Sequence, residues 1–342
     1  MGTYEKRPRA FIARTSGDPG PVLREGLEFI DWKTIVPEGS RVFIKPNFTY
    51  PRFKEGITTT PAVIEQLLSV LRDRAGSITV GESDGGNNSF TADDAFEGHD
   101  MPRICHKSGA HLVNLSHQPS EVVEEEIAGK RVRVRLPRLL LEDIDCFISV
   151  PVLKVHTMTS VTLSIKNLWG CHPDTMRCLE HQNLSWKLSL LARKCSPRLV
   201  VVDATYGLDG HGPMYGEAKK LDMLLVGDNP VATDALGAAL MGMPLRRVEH
   251  IRIAEKAGLG TTDLNALVLN DDWKKFAVQF AYKRTTVDWL SRLLFESDAL
   301  ARFVLKSPVT PLIYKVAALL RNTREREVAG DMGKKDTTVG PF

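Results

Sequence analysis

The strongest constraint on how this chain folds is a series of short β-branched apolar runs separated by stretches of helical period. RVFIK (41–45), SITVGE (77–82), HLVNL (111–115), IDCFISV (144–150), RLVVVD (198–203), LDMLLVG (221–227) and NALVLN (265–270) each have the length of a buried strand. Between them lie amphipathic segments with helix punctuation. Thr60 and Pro61 open a helix running to about Arg74, residues 101–108 and 183–194 form two more, Asn229 and Pro230 cap VATDALGAALMG, and Gly258 closes VEHIRIAEKAG. VVEEEIAGKRVRVRL reads as a charged hairpin turning at Gly129. Strands alternating with helices imply an α/β fold, a mostly parallel open sheet with helices on both faces.

The alternation stops near residue 270. From Trp273 to Gly330 the chain is helical in pattern and aromatic, is broken at Pro308 and Pro311, and holds eleven Lys and Arg against five Asp and Glu. The sequence therefore divides into an α/β domain (1–270), a basic amphipathic helical appendage (271–330) and a polar, disordered tail (331–342). Over all 342 residues the net charge is only +3, which gives no electrostatic ground for a nucleic-acid partner. Five scattered cysteines without a CxxC pair suit a reducing compartment, and MGTYEKRPRA has no apolar secretory core, so the expected location is cytoplasmic. The basic segment 273–320 adds the expectation of a membrane surface or membrane-protein partner.

Ligands of open α/β sheets sit outside the carboxyl ends of the strands. That rule gathers Lys45 and Asn47 after the first run, Glu82 at the end of the second, Lys154 and His156 after IDCFISV, Asp203 at the end of RLVVVD and Asp228 after LDMLLVG. In PVLKVHTMTSVTLSIKNLWG, Lys154, His156, Lys166 and Asn167 stand among valines, leucines and a tryptophan. A lysine in such surroundings needs a carboxylate partner or a bound anion. Asp234 is the lone acid of a helix otherwise built of small apolar residues. YGLDGHGPMYG offers Gly210 and Gly212 as residues that bring backbone N–H groups to an oxyanion, or simply as a tight connection. CHPDTMRCLEH brings metal-binding residue types, Cys171, His172, Cys178 and His181, at a spacing that fits no zinc or ferredoxin pattern.

The motifs VFIKPNF, ITTTP, LKVHTMTSVTLSIKNLWG, RLVVVDATYGLDGHGP and GDNPVATDALGAALMG, in this order, resemble the family grouped as domain of unknown function 362. The resemblance implies motif positions at Lys45, Asn47, Glu82, Lys154, His156, Lys166, Asn167, His181, Asp203 and Asp234. Many members of that family look like carriers of an appended iron–sulfur module, whose CxxCxxCxxxCP run this chain lacks.

Three functions compete on these grounds. The first is an enzyme acting on a small anionic carboxylate or phosphate by proton transfer of the isomerase, racemase or lyase kind. His156, Lys166, Glu82 and Asp203 would be catalytic, and Lys45, Asn47, Lys154, Asn167, Gly210, Gly212 and Asp234 would bind substrate. The second is metal or iron–sulfur chemistry, with His156, His181, Cys171 and Cys178 as ligands. The third is a peripheral membrane binding or assembly factor. No cofactor is favoured by the sequence.

Overall fold

The structure is a computed structural model that describes residues 7–283, 293–295 and 297–306. The strands are β1 (Arg9–Arg14), β2 (Arg41–Pro46), β3 (Ser77–Glu82), β4 (His111–Asn114), β5 (Ser120–Ile127), β6 (Lys130–Pro137), β7 (Cys146–Val150), β8 (Val152–His156), β9 (Ser160–Val161), β10 (Leu199–Asp209), β11 (Glu217–Gly227) and β12 (Val268–Leu269). The main sheet runs β12-β1-β11-β10-β7-β2-β3-β4, with β8 joined to β10 and β9 to β8. Strands β4, β3, β2, β7 and β10 are mutually parallel, whereas β11 is antiparallel to both of its neighbours. The sheet is thus mostly parallel. β5 and β6 form a separate hairpin turning through Ala128 and Gly129, both at positive φ.

The strands are continuously apolar because both faces of the sheet are covered. Alternate residues feed two cores: Phe43, Val200, Val202 and Leu225 face one, while Val42, Ile44, Val201 and Leu224 face the other. The first core is closed by the helices Leu184–Cys195, Pro230–Leu240 and Glu249–Lys256. The second is closed by Gly20–Phe29, Pro61–Leu71, Ala92–Gly98 and Met101–Ser108. Asn229 caps its helix as its position before Pro230 suggests, its side chain accepting from Ala232 N–H.

Several local expectations change. β1 and β8 were not legible as strands. β10 does not end at Asp203 but runs six residues further, pairing its polar half, Tyr206–Asp209, with Glu217–Lys220 of β11. The glycine-rich segment is therefore the tip of a long hairpin instead of a loop at the sheet edge. Because β11 is reversed, Asp228 lies at the opposite end of the sheet, where it accepts from Arg9 N–H at 2.8 Å. The segment after Trp273, expected to be helical, makes one 3-10 turn (Trp273–Phe276) and then runs extended over the domain. There Val278 N–H donates to Leu240 O, Phe280 N–H to Met241 O and Lys283 N–H to Gly210 O. A helix follows at Asp298–Lys306. The expectations for 307–342, including Pro308, Pro311 and the tail, lie outside the described residues.

Candidate functional site

The carboxyl ends of β2 and β3 meet in register, which sets Lys45 beside Glu82. Lys45 Nζ donates to Glu82 Oε2 at 2.5 Å and to Pro46 O at 2.8 Å, with both side chains almost fully buried. The carboxylate also accepts Phe48 N–H and Ser83 N–H, each at 3.1 Å. A buried ion pair repays its desolvation best when further hydrogen bonds support it, and here the carboxylate gains two and the ammonium one. Gly170 makes this packing possible, because a Cβ there would stand 2.6 Å from Glu82 Oε1 and 3.0 Å from Lys45 Nζ.

Above the pair is a cleft lined by Lys45, Asn47, Glu82, His156, Lys166 and Asn167 from the sequence-derived set, and by Arg177, Trp169, Gly170, Gly85, Gly86, Ser89, Pro213 and Met214, which that set lacked. Lys166 and Asn167 arrive on one short helix, Ser164–Asn167. Asn167 Nδ2 donates to Lys45 O at 3.1 Å and to Ser149 Oγ at 3.3 Å. A carbonyl can only accept, so this contact fixes the amide orientation. Asn167 Oδ1 then takes Asn47 Nδ2 at 3.1 Å, leaving the buried Asn47 Oδ1 with no partner.

Lys166 differs from the other lysines at this site. Its amine makes no hydrogen bond or ion pair among the described residues, and burial, then Arg177, then Lys45 push its pKa down to about 7. At neutral pH a large fraction is the free amine. His156 accepts Met158 N–H at Nδ1 (3.1 Å), which leaves its proton on Nε2. Burial and the nearby lysines hold its pKa well below the ordinary value. His156 is therefore neutral at physiological pH with a proton on Nε2, whereas Lys166 titrates in that range.

Arg177 comes from the segment CHPDTMRCLEH. Its guanidinium donates to Asp84 O at 2.9 Å and Asp174 O at 3.1 Å, clamping the loop after β3 to the turn at 174–180, and it contacts no carboxylate among the described residues. Of the residues in that segment, the arginine and not the metal-binding residue types reaches the cleft. The signal was a cation in a Cys/His-rich stretch, but its neighbours are set by loop closure alone.

Other residues of the set stand outside the cleft. Lys154, fully buried, donates to Ile57 O at 2.6 Å and Thr49 Oγ1 at 3.0 Å and pins the 49–57 loop; burial holds its pKa well down. Asp203 accepts Thr60 N–H at 2.7 Å and Thr205 N–H at 2.9 Å, tying a helix start to β10. Asp234 accepts Ser164 N–H at 2.8 Å and Ile165 N–H at 2.9 Å, so it holds the helix that carries Lys166. Burial outweighs those donors and pushes its pKa up to about 8. Gly210 N–H is taken by Asp209 Oδ1 and Ala281 O. Gly212 sits where a Cβ would strike Val155 O, so its glycine serves close packing that brings Pro213 to the cleft rim.

The donor types considered for a metal are dispersed. Among the described residues no three His, Cys, Asp or Glu side chains converge on a metal-sized position. Cys171 faces Cys195, not Cys178. His172 meets Glu180 at 3.4 Å, and the His181 ring packs on Trp169 and Phe295. No helix of the described residues is long and apolar enough to cross a membrane.

A family model described as domain of unknown function (DUF362) matches residues 42–239. The chain belongs to this family. The matched span contains every residue of the cleft from Lys45 to Met214. A thylakoid-associated protein of Synechocystis sp. is 23% identical over 243 residues, 66% of this chain and 71% of that protein. Among solved structures, lactate racemase apoprotein from Thermoanaerobacterium thermosaccharolyticum is similar over 71% of this chain and 60% of its own, with 8% identity and a TM-score of 0.46. A Thermotoga maritima protein is similar over 70% and 59%, with 13% identity and a TM-score of 0.37. The chain spans about three fifths of the length of each of these two structures.

Proposed function

We propose that this DUF362 chain is an enzyme that moves a proton on a small anionic substrate, with Lys166 as the base. The observation that carries the proposal is the Lys166 amine, enclosed in a cleft with other cations, unpartnered and pushed toward neutrality at about pH 7. A free amine beside a substrate carbon next to a carbonyl takes its proton, and the electron pair moves onto the carbonyl oxygen. His156 Nε2–H stands at the same cleft as a neutral donor to that oxygen, the kind of stabilisation that strengthens as charge develops. Returning the proton to the same carbon, to its neighbour, or after loss of a leaving group gives racemisation, isomerisation or elimination. Lys45 and Glu82 hold the floor, and the free Asn47 Oδ1 is an acceptor for a substrate hydroxyl or amine.

The test is carbamylation by cyanate, followed residue by residue by mass spectrometry between pH 5.5 and 10. Cyanate reacts as isocyanic acid with the free amine alone, so the Lys166 labelling rate divided by the isocyanic acid concentration is expected to rise with a midpoint near 7. Exposed lysines such as Lys107 serve as the internal reference. A Lys166 midpoint at the ordinary value of about 10.4 overturns the assignment.

A second reading, attachment to an anionic membrane surface through 273–320, is supported by two facts. A relative carries thylakoid association in its name, and Leu300 and Phe303 of the helix Asp298–Lys306 are exposed. Surface attachment is compatible with the enzyme reading.

A further inference from the structure

We infer that the permanent negative charge of the substrate is seated at the Arg177 end of the cleft and not on Lys166. The inference rests on the proton-transfer reading, and charge balance within the cleft leads to it. Three cations line it, Lys45, Lys166 and Arg177, against one carboxylate, Glu82. Lys45 is answered by Glu82 at 2.5 Å. Lys166, once it has taken the substrate's proton, is answered by the negative charge left on the substrate. Arg177 alone has no counter-charge in contact. Glu82, Asp84 and Asp174 act on it only through space, and its two hydrogen bonds go to the backbone carbonyls of Asp84 and Asp174. A half-buried guanidinium at a cleft wall is available to an anion that enters, and its five donors leave capacity beyond those two bonds.

The backbone around Arg177 leaves room for that anion. Gly86 and Ser89, from the loop after β3, line the same cleft as Arg177, and nothing lies within 4 Å of where a Gly86 Cβ would stand. The loop is held to the arginine turn by Asn87 N–H donating to Thr175 O at 2.7 Å. Arg177, Gly86 and Ser89 are thus fixed relative to one another and open to the cleft. The substrate class is a bifunctional one, a carboxylate or phosphate at one end and a carbon acid next to a carbonyl at the other. Arg177 is its specificity-determining residue.

The experiment is calorimetric titration of malonate and of inorganic phosphate into wild type, Arg177→Gln, Ser89→Asp and Lys166→Met, with thermal melts to establish that each variant folds. For whichever oxyanion wild type takes more tightly, Kd is expected to rise about tenfold or more in Arg177→Gln and in Ser89→Asp, and to stay within about threefold in Lys166→Met. Ser89→Asp keeps the arginine clamp intact, so a loss there is not a loss of the loop. Removing Arg177 is also expected to raise the Lys166 cyanate midpoint, because Arg177 is one of the groups that lower it. Tight oxyanion binding that survives both Arg177→Gln and Ser89→Asp and vanishes in Lys166→Met overturns the inference, as does failure of both oxyanions to bind wild type. An ordinary Lys166 midpoint with an Arg177-dependent Kd would sink the proton-transfer reading alone and leave the oxyanion seat standing.

Discussion

At the scale of single residues, four cationic side chains lie in or beneath one cleft under different constraints. Lys45 meets a carboxylate, Lys154 meets backbone and hydroxyl acceptors without counter-charge, Arg177 meets carbonyls without counter-charge, and Lys166 meets no partner among the described residues. For Lys166 this has a thermodynamic signature. Its pKa of about 7 in the fold lies below the ~10.4 of an unfolded lysine, so folding expels a proton between those values. Wild-type stability contains a penalty that is absent above about pH 10.4, grows as pH falls and is complete below about 7. Lys166→Met removes that penalty. The variant is expected to be more stable than wild type at pH 7, with an advantage that shrinks by up to ~1.4 kcal/mol per unit as pH rises toward 10. Urea unfolding at pH 7, 8.5 and 10 measures this. Parallel curves with no gain at pH 7 would mean that the amine is hydrated or paired in solution.

At the scale of elements, the site depends on how a one-turn helix is held. Ser164–Asn167 is too short to be stable by its own hydrogen bonds, and Asp234, from the neighbouring helix, supplies the two acceptors its first N–H groups need. Asp234→Asn keeps the shape but turns an NH2 toward one of those donors. A loss of about 1–3 kcal/mol is expected in urea unfolding at pH 9, above the Asp234 pKa of about 8, together with a displaced Lys166 cyanate midpoint. An unchanged midpoint would separate the helix anchor from the site. The same element shows what the sequence can and cannot disclose. Lys45, Glu82, Lys166 and Asn167 were legible because polar residues at the ends of apolar runs must meet something. Asp234 was visible as an oddity, but its partners are the first N–H groups of a helix some 70 residues away in sequence. Arg177 and Gly170 were illegible, since their places are set by loops closing over the sheet, which no local period encodes. Asp203 and Asp228 misled for opposite reasons: the first sits in mid-strand because polar residues extend β10, the second at the wrong end because β11 is reversed.

At the scale of the whole molecule, the helix Asp298–Lys306 has two apolar sides with different surroundings. Ala301 and Val304 pack with Phe295 against Leu179, in the 3-10 turn Arg177–Glu180 that carries the cleft's arginine. Leu300 and Phe303 point the other way, 47% and 69% exposed. A face that buries Phe303 in lipid would gain about 1.5–3 kcal/mol from that side chain, and basic residues nearby add attraction to an anionic surface. Flotation of the full chain with vesicles containing about one third phosphatidylserine or phosphatidylglycerol is therefore expected to carry wild type upward. Leu300→Glu/Phe303→Glu is expected to remain at the bottom with an unchanged melting temperature, because neither side chain supports the core. Because the buried side of this helix backs the turn of Arg177, vesicles should also tighten that turn, visible as slower amide hydrogen exchange at 176–180 in wild type and not in the double variant. Equal flotation of the two proteins would remove this helix from any membrane contact, and flotation without the exchange effect would show that attachment and the cleft are independent.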